Sequence, residues 1–318
     1  MHMGTLVTLT AVAPTLAAAQ QAVEAGFAEI RRLESLLSTW IPTSELSTVN
    51  AAAGGAPVVV GPESLDVLQR SIEIARLTGG GFNIMLGPAI EAWSVTEQAR
   101  VPEELELAAL RPLVDLSGLH LDHQARTIRL DRQGMRVDVG GIGKGYAADL
   151  TVTVMQHAGA TAGVVALAGD IKTFGRLPDE ARFRFGIQHP REPGRVLARL
   201  ELENEAISTA GDYERYFERA GIRYHHILDP RTLKPARGCQ SVTIVAKEGV
   251  MADGLDTGIF VMGPERGMAL IEELPDVEGV IVDAEGKVWV SSGLRGRLRI
   301  PDPTTSPLPN SPARTPAP

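Results

Sequence analysis

The segments of this chain with strand-like sequences come mostly in neighbouring pairs joined by short turns, and this order constrains the fold more than any other feature. Residues 206–228 predict a strand and a hairpin that turns near Ala220 and Gly221, and residues 280–290 predict a hairpin that turns at 284–286. Consecutive strands joined by tight turns pair antiparallel, whereas a doubly wound sheet needs a helix between successive strands. We therefore predict an α+β fold with mixed, largely antiparallel sheets and packed helices.

The remaining predicted elements follow from the spacing of apolar residues. Helical spacing predicts helices over residues 15–37, 65–77, 146–157, 253–261 and 264–274. Alternation of apolar and polar residues predicts strands over residues 4–12, 120–139 with turns at 122–123 and 132–134, 164–167, 183–188 and 242–246.

Length and composition limit the possible organisation and partners. A length of 318 residues fits one domain over residues 1–300, with two intimately packed subdomains as the alternative. Residues 301–318 are rich in Pro, Ser and Thr and predict a disordered tail. The net charge of −8 argues against a nucleic-acid partner. A single cysteine, Cys239, excludes an intramolecular disulfide and a multi-cysteine metal site.

The sequence leaves the cellular compartment open. No apolar run of 18 residues occurs, so we expect no membrane span in this chain. The first residues lack the basic segment followed by an apolar segment that an export signal requires. A mature chain whose signal has been removed would begin in the same way.

Residues 137–149 form a glycine-rich passage from a predicted strand into a predicted helix. Backbone N–H groups at a helix N-terminus favour an anion, and Lys144 adds a positive charge for a phosphate. The passage is not a Walker A loop, because Gly145 follows Lys144 where Ser or Thr is required. By itself it predicts phosphate binding no more strongly than a tight turn that needs glycines.

Residues 252–258 place acidic and hydroxyl side chains at helical spacing. If a helix begins near Asp253, then Asp253, Asp256 and Thr257 share one face and offer the oxygen ligands that Mg²⁺ prefers. The alternative is that Asp253 is a helix N-cap and Asp256 a solvent-facing acid, and the motif alone favours this alternative.

Two adjacent histidines lie in a segment that also holds Tyr213. In an alternating strand, His225 and His226 face opposite sides, so at most one of them faces a given site. An isolated histidine is more often a structural residue than a catalytic one.

Taken together, these motifs resemble the ApbE family of FAD:protein FMN transferases, in order and spacing, from Met3 to about Val290. The matching pieces are Met3-Gly4-Thr5, Leu37-Ser38-Thr39-Trp40, Ser44-Glu45-Leu46-Ser47 with Asn50, Gly80-Gly81-Phe82-Asn83 with Gly87-Pro88, Asp138 to Gly145, Gly169-Asp170, Ser208 to Tyr213, His226 to Thr232 and Ala252 to Thr257. Each piece alone is weak evidence, but so many in the family's order identify the chain as a member.

The resemblance implies a fold, a reaction and a set of site residues. The implied reaction moves FMN from FAD, the substrate, onto a Ser or Thr hydroxyl of an acceptor flavoprotein and releases AMP. Mg²⁺ on the FAD diphosphate would be held by Asp253, Asp256, Thr257 and the carbonyl of Gly141. FAD contacts would come from Met3, Trp40, Gly81, Phe82, Asn83, Asp138, Lys144 and Ile227. The catalytic residues would be Lys144, which neutralises the diphosphate, and a general base that is either His226 or Asp138.

The chain departs from the family pattern at four positions. Trp40 replaces a usual Tyr, Asn83 a usual Asp, Gly141 a residue with a small side chain, and Leu233 a common Gly. None of these changes removes a presumed metal carboxylate or Lys144, so we expect activity. The alternatives are a Mg²⁺-dependent FAD diphosphatase that yields FMN and AMP, and an FAD-binding protein without turnover. Family members commonly act outside the cytoplasmic membrane on respiratory flavoproteins.

Overall fold

The computed structural model describes residues 2–300 of the chain, so the predicted tail at 301–318 lies outside the described residues. The helices are α1 Leu16–Leu37, α2 Glu45–Ala51, α3 Pro62–Leu77, α4 Gly87–Trp93, α5 Glu104–Leu110, α6 Gly143–His157, α7 Gly249–Met262 and α8 Pro264–Glu273. The strands are β1 Val7–Val12, β2 Val58–Val59, β3 Leu119–Asp122, β4 Thr127–Leu130, β5 Ala162–Leu167, β6 Asp170–Phe174, β7 Phe183–Gln188, β8 Val196–Leu202, β9 Ala206–Gly211, β10 Tyr216–Arg219, β11 Ile222–His225, β12 Leu228–Asp229, β13 Lys234–Pro235, β14 Cys239–Ala246, β15 Val277–Asp283 and β16 Val288–Val290.

The main sheet has seven strands in the order β1-β5-β6-β9-β14-β15-β16. Every neighbouring pair in it is antiparallel. Smaller antiparallel sheets are formed by β2-β4-β3, by β7 with β8, by β10 with β11 and by β12 with β13. The predicted α+β class with largely antiparallel sheets is confirmed.

Four helices lie side by side over one face of the main sheet, in the order of the strands beneath them. α1 packs against β1, α6 against β5 and β6, α7 against β9 and β14, and α8 against β15. α6 contacts both α1 and α7, and α7 also contacts α8. α6 and α7 therefore lie over the middle of the sheet, where the first turn of α6 meets the start of β6 and the interior of α7 meets β9.

The β7–β8 hairpin covers the opposite face of the sheet. Side chains alternate along β14, so Ile244 packs in the apolar cluster that includes Leu255 of α7, whereas Val245 packs with Ile187 and Leu200 of the hairpin. Since both faces are covered, all eight residues of β14 are buried. A strand of this kind carries a nearly continuous run of residues that tolerate burial, here CQSVTIVA.

The predicted strand over 120–139 is correct for β3 and β4 but wrong for its last five residues. Residues 135–139 are an irregular extended segment, because the side chain of Asn50 takes the place of a partner strand. Its Oδ1 accepts the Val137 N–H at 2.8 Å and its Nδ2 donates to the Val137 carbonyl at 3.0 Å. The Asp138 N–H donates to the carbonyl of Ile84 at 2.7 Å. These bonds fix the chain that leads into the glycine-rich loop.

Candidate active site

A cleft of about 690 Å³ brings together every residue that the sequence assigned to a site. Its walls include the loop before α6, the start of β6, the second and third turns of α7, and the segments around Trp40, Phe82 and His226. The assigned residues in its lining are Met3, Trp40, Gly81, Phe82, Asn83, Asp138, Gly141, Lys144, His226, Ile227, Asp253, Asp256 and Thr257.

The glycine-rich loop reaches helical geometry earlier than the sequence predicts. α6 begins at Gly143 instead of about Tyr146, so Lys144 lies in the first helical turn. The Gly143 N–H closes a turn onto the Val139 carbonyl at 2.7 Å, and the Gly140 N–H donates to Asp138 Oδ1 at 2.8 Å. The N-terminus of α6 therefore forms part of the cleft wall, and its partial positive charge lies beside Lys144.

The first turns of α6 and α7 are in direct backbone contact. A Cβ atom added to Gly145 would lie 2.1 Å from the Gly249 carbonyl oxygen, so only a glycine allows this approach. The contact lets the Gly145 N–H donate to Asp253 Oδ2 at 2.8 Å, across the two helices. One carboxylate of α7 is thereby aligned with the N-terminus of α6.

Three buried carboxylates meet at the base of the cleft. Ligand atoms of Asp170, Asp253 and Asp256 all lie within 4.8 Å of one another. Ser208 Oγ lies within hydrogen-bonding distance of Asp170 and is 2.6 Å from Asp256 Oδ2. Lys144 Nζ donates to Asp170 and lies 3.6 Å from Asp253 Oδ1, so one ammonium group faces three acids.

This excess of negative charge changes the proton affinity of the cluster. Burial, together with the charge of Asp170, raises the pKa of Asp253 to about 7. Burial and the charges of Asp253 and Asp170 raise the pKa of Asp256 well above its usual range. Burial opposes the charge of Lys144, yet the neighbouring carboxylates raise the pKa of its ammonium group. A buried group of acids with one lysine favours a bound cation that would restore charge balance.

The N-cap alternative for Asp253 is wrong. α7 begins four residues earlier, at Gly249, and Asp253 and Asp256 are each only 2% exposed. Thr257 Oγ1 donates to Asp256 Oδ1 at 3.1 Å, so both residues share the helix face that was predicted. Gly141 lies against this face, because a Cβ on it would be 3.3 Å from Thr257 Oγ1.

The two adjacent histidines have different environments, as predicted. His225 is buried, and its Nε2 donates to the Ala236 carbonyl at 2.7 Å. His226 lines the cleft, and its Nδ1 lies 3.2 Å from the Arg215 carbonyl. A carbonyl only accepts, so Nδ1 carries the proton and Nε2 is the basic nitrogen. Burial, and then the charge of Arg215, lower the pKa of His226 to about 3, which keeps the imidazole neutral.

The other candidate base, Asp138, is already hydrogen-bonded at both oxygens. Oδ1 accepts the Gly140 N–H, and Oδ2 accepts the Thr39 hydroxyl at 3.4 Å. Both carboxylate oxygens of Asp138 are therefore engaged in fixing the loop before α6 and the segment around Thr39.

The residues assigned to FAD contacts form two kinds of surface in the cleft. Trp40 is 78% exposed, whereas Phe82 and Ile227 are buried walls. The side chain of Asn83 is used internally: Oδ1 accepts the Met85 N–H at 2.8 Å and Nδ2 donates to the Val114 carbonyl at 2.9 Å. Both the oxygen and the nitrogen of the Asn83 side-chain amide therefore hold the turn that precedes α4.

Sequence reasoning assigned no role to Asp170 or Ser208, although both contact the acidic cluster. Both lie inside matched motifs, Gly169-Asp170 and Ser208 to Tyr213, and this was the available signal. No spacing rule connects them to Asp253, because the contact arises only when β6 and β9 pair beneath α7.

Comparison with known proteins identifies the family. The ApbE family model matches residues 3–281. The chain belongs to the ApbE family. It is 33% identical over 297 residues to the FAD:protein FMN transferase of Treponema pallidum, covering 88% of this chain and 82% of that protein. It is also 33% identical over 273 residues to the FAD:protein FMN transferase of Vibrio cholerae, covering 84% of this chain and 81% of that protein.

Solved structures of ApbE proteins have the same fold. The ApbE protein of Thermotoga maritima superposes with a TM-score of 0.88 at 29% identity, covering 94% of this chain and 97% of that chain. The flavin transferase ApbE from Vibrio cholerae superposes with a TM-score of 0.83 at 30% identity, covering 93% and 97%. Within residues 2–300, no helix has both the length and the apolar character that crossing a membrane requires.

Proposed function

We propose that this member of the ApbE family transfers FMN from FAD to a Ser or Thr hydroxyl of an acceptor protein, with Mg²⁺ as its resident metal. The observation that carries the proposal is the acidic cluster of Asp170, Asp253 and Asp256 at the base of the cleft, beside Lys144 and the N-terminus of α6. An anionic diphosphate and a divalent cation are the two partners that such a combination of charges would hold.

The residues present fit a magnesium ion. The candidate donors are all oxygens: the carboxylates of Asp253 and Asp256 with Asp170 beside them, the hydroxyl of Thr257 and, we propose, the carbonyl of Gly141. Hard cations prefer this chemistry. Burial and the mutual repulsion of the carboxylates raise the pKa values of Asp253 and Asp256, and a divalent cation beside them would favour their charged forms. When bound, Mg²⁺ would offset the charge of the FAD diphosphate and stabilise the AMP leaving group.

The remaining residues bind and orient the reactants. Lys144 and the first turn of α6 would hold the diphosphate, while Trp40 and the apolar wall of Phe82 and Ile227 would contact the ring systems of FAD. We assign Lys144 to charge neutralisation, because its ammonium group stays protonated beside Asp170.

We propose His226 as the base that takes the proton of the acceptor hydroxyl. Within residues 2–300 the Nε2 of the neutral His226 has no hydrogen-bond partner, whereas both oxygens of Asp138 already accept hydrogen bonds. Burial and Arg215 lower the pKa of His226, and the anionic diphosphate of FAD in the same cleft would raise it again. In the reaction, the hydroxyl oxygen forms a bond to the FMN phosphorus and the bond from that phosphorus to the AMP oxygen breaks. The hydroxyl proton goes to His226, and AMP leaves with the electron pair.

The proposal is tested by mixing the purified protein with FAD and Mg²⁺, with and without an acceptor flavoprotein domain isolated without flavin. AMP, free FMN and the mass of the acceptor are followed together. We expect the acceptor to gain one FMN group for each AMP released. Free FMN formed at the same rate with and without the acceptor would instead identify an FAD diphosphatase, and FAD that is bound but never cleaved would identify a carrier.

A further inference from the structure

One edge of β7 has no partner strand within residues 2–300. β7 pairs antiparallel with β8 over its whole length, and the structure gives it no second neighbour in that range. Natural proteins usually protect such an edge with proline, charged side chains, above all lysine, or a bulge. β7 has the sequence FRFGIQ, with no proline or lysine and with Arg184 as its one charge, and the bulge of this hairpin lies on β8, where Leu197 is the extra residue.

The register shows which backbone groups point away from β8. The His189 N–H donates to the Arg195 carbonyl at 2.9 Å, so His189 faces β8. Backbone groups alternate along an antiparallel strand, and β7 itself has no inserted residue, so Ile187 also faces β8. The N–H and C=O groups of Gly186 and Gln188 therefore point away from β8, to the side on which the structure gives β7 no partner strand within residues 2–300. Both residues are exposed.

This open edge borders the cleft. Four consecutive residues, 185–188, line it, although their side chains point alternately to opposite faces of the hairpin. Gly186 has no side chain, so its backbone itself borders the cleft, and the wall here includes the strand backbone and not only one row of side chains. Arg215 and His226 line the same cleft, so the open edge and the proposed base belong to one cavity.

We propose that the acceptor polypeptide binds to this edge as an additional β-strand and thereby presents its Ser or Thr hydroxyl to the cleft. This inference rests on the proposed function, since a protein acceptor must bring an extended segment into a cleft that also holds FAD. Main-chain hydrogen bonds to Gly186 and Gln188 would supply affinity that depends little on the acceptor sequence. Alternate side chains of the added strand would point to one face, so the hydroxyl would enter the cleft at a fixed register.

The first test compares Gln188→Pro with Gln188→Ala in the full chain. Proline removes an outward N–H that β8 does not use, and proline is tolerated at such an edge position. We expect Q188P to raise the KM for a flavin-free acceptor flavoprotein domain about threefold to tenfold relative to Q188A, which keeps the N–H. FAD affinity, measured by fluorescence titration, reports whether the cleft is intact. Equal KM values for the two variants, with acceptor transfer still occurring, would overturn the docking and leave the proposed function standing.

The second test uses the unaltered protein, so it does not depend on a variant that folds. Amide hydrogen exchange by NMR should show slower exchange at Gly186 and Gln188 when the acceptor domain is added, and no change at Ile187, whose N–H already faces β8. Slow exchange at Gly186 and Gln188 before the acceptor is added, increasing with protein concentration, would show that a second copy of the chain occupies the edge and would overturn the proposal. Failure of the unaltered protein to flavinylate the acceptor would overturn the proposed function and the docking together.

Discussion

Replacing Asp253 by Asn should make the metal-free protein more stable and at the same time remove its response to Mg²⁺. The carboxylate of Asp253 is 2% exposed and faces Asp170 and Asp256, and the ammonium group of Lys144 opposes their charge. Asparagine has the same shape and its Oδ1 can still accept the Gly145 N–H, which contacts Asp253 Oδ2 at 2.8 Å. The substitution therefore removes charge with little change in packing.

The magnitude follows from the pKa of Asp253, which is about 7 in the folded chain against an ordinary value of 3.8. One pKa unit corresponds to about 1.4 kcal/mol, so holding this carboxylate charged at pH 8 costs the metal-free protein about 4 kcal/mol. Because the folded pKa is raised, the native state binds more protons than the unfolded state between about pH 4 and 7. The contribution of Asp253 to stability is thus fully present below about pH 4 and is lost as the pH rises through 7.

The assay is urea unfolding in EDTA at several pH values, followed by thermal unfolding with added Mg²⁺. D253N should exceed the unaltered protein by up to about 4 kcal/mol at pH 8, and the difference should shrink towards pH 4. Mg²⁺ should stabilise the unaltered protein and not D253N. Asp283→Asn is a matched control of opposite sign, because Asp283 accepts the Trp289 Nε1–H at 2.8 Å and its pKa is lowered by that bond. Equal stability of D253N and the unaltered protein at pH 8 would refute the electrostatic argument, and an intact Mg²⁺ response would remove Asp253 from the metal ligands.

Three further substitutions test other parts of the cleft. Lys144→Met should lower the free energy of unfolding by about 3 kcal/mol in urea at pH 8, because it leaves buried acids without their cation. It should also weaken FAD binding in a titration, and unchanged FAD affinity would contradict the role of Lys144. Gly145→Ala should lower the free energy of unfolding by about 3 kcal/mol or more, because its Cβ would lie 2.1 Å from the Gly249 carbonyl oxygen. Gly296→Ala should be nearly neutral, because no atom lies within 4 Å of its Cβ. Equal Tm values for the two variants would contradict the close helix contact. Trp40→Ala should change stability by less than about 0.5 kcal/mol, because the ring is 78% exposed, but weaken FAD binding by about 1–3 kcal/mol in fluorescence titration through the loss of stacking; an unchanged dissociation constant would exclude Trp40 from the FAD site.

Sequence patterns predicted the local elements well where the signal was local. The hairpin turn at Ala220 and Gly221, the second hairpin at 284–286 and the helix that ends at Leu37 all depend on residues close in the chain, and all are present. The start of α7 was predicted late, because Gly249 and Gly254 weaken the helical pattern, and only packing against α6 explains why glycines are needed there.

The parts of the site that sequence reasoning missed depend on distant contacts. Residues 135–139 have a strand-like sequence, but the amide of Asn50 takes the bonds that a partner strand would take. Asp170 joins Asp253 only because β6 and β9 are neighbours under α7. The grouping of Asp253, Asp256 and Thr257 was predicted correctly because it needs only helical spacing.

The origin of the acidic cluster in separate segments has a consequence for folding kinetics. Asp170 begins β6, whereas Asp253 and Asp256 belong to α7 and Lys144 to α6, so the cluster forms only after segments far apart in the chain have come together. We expect buried polar contacts of such wide sequence separation to be absent from the folding transition state and therefore to break early in unfolding. A cation bound there should therefore slow the rate of unfolding and leave the rate of refolding almost unchanged, so that the metal extends the lifetime of the native state.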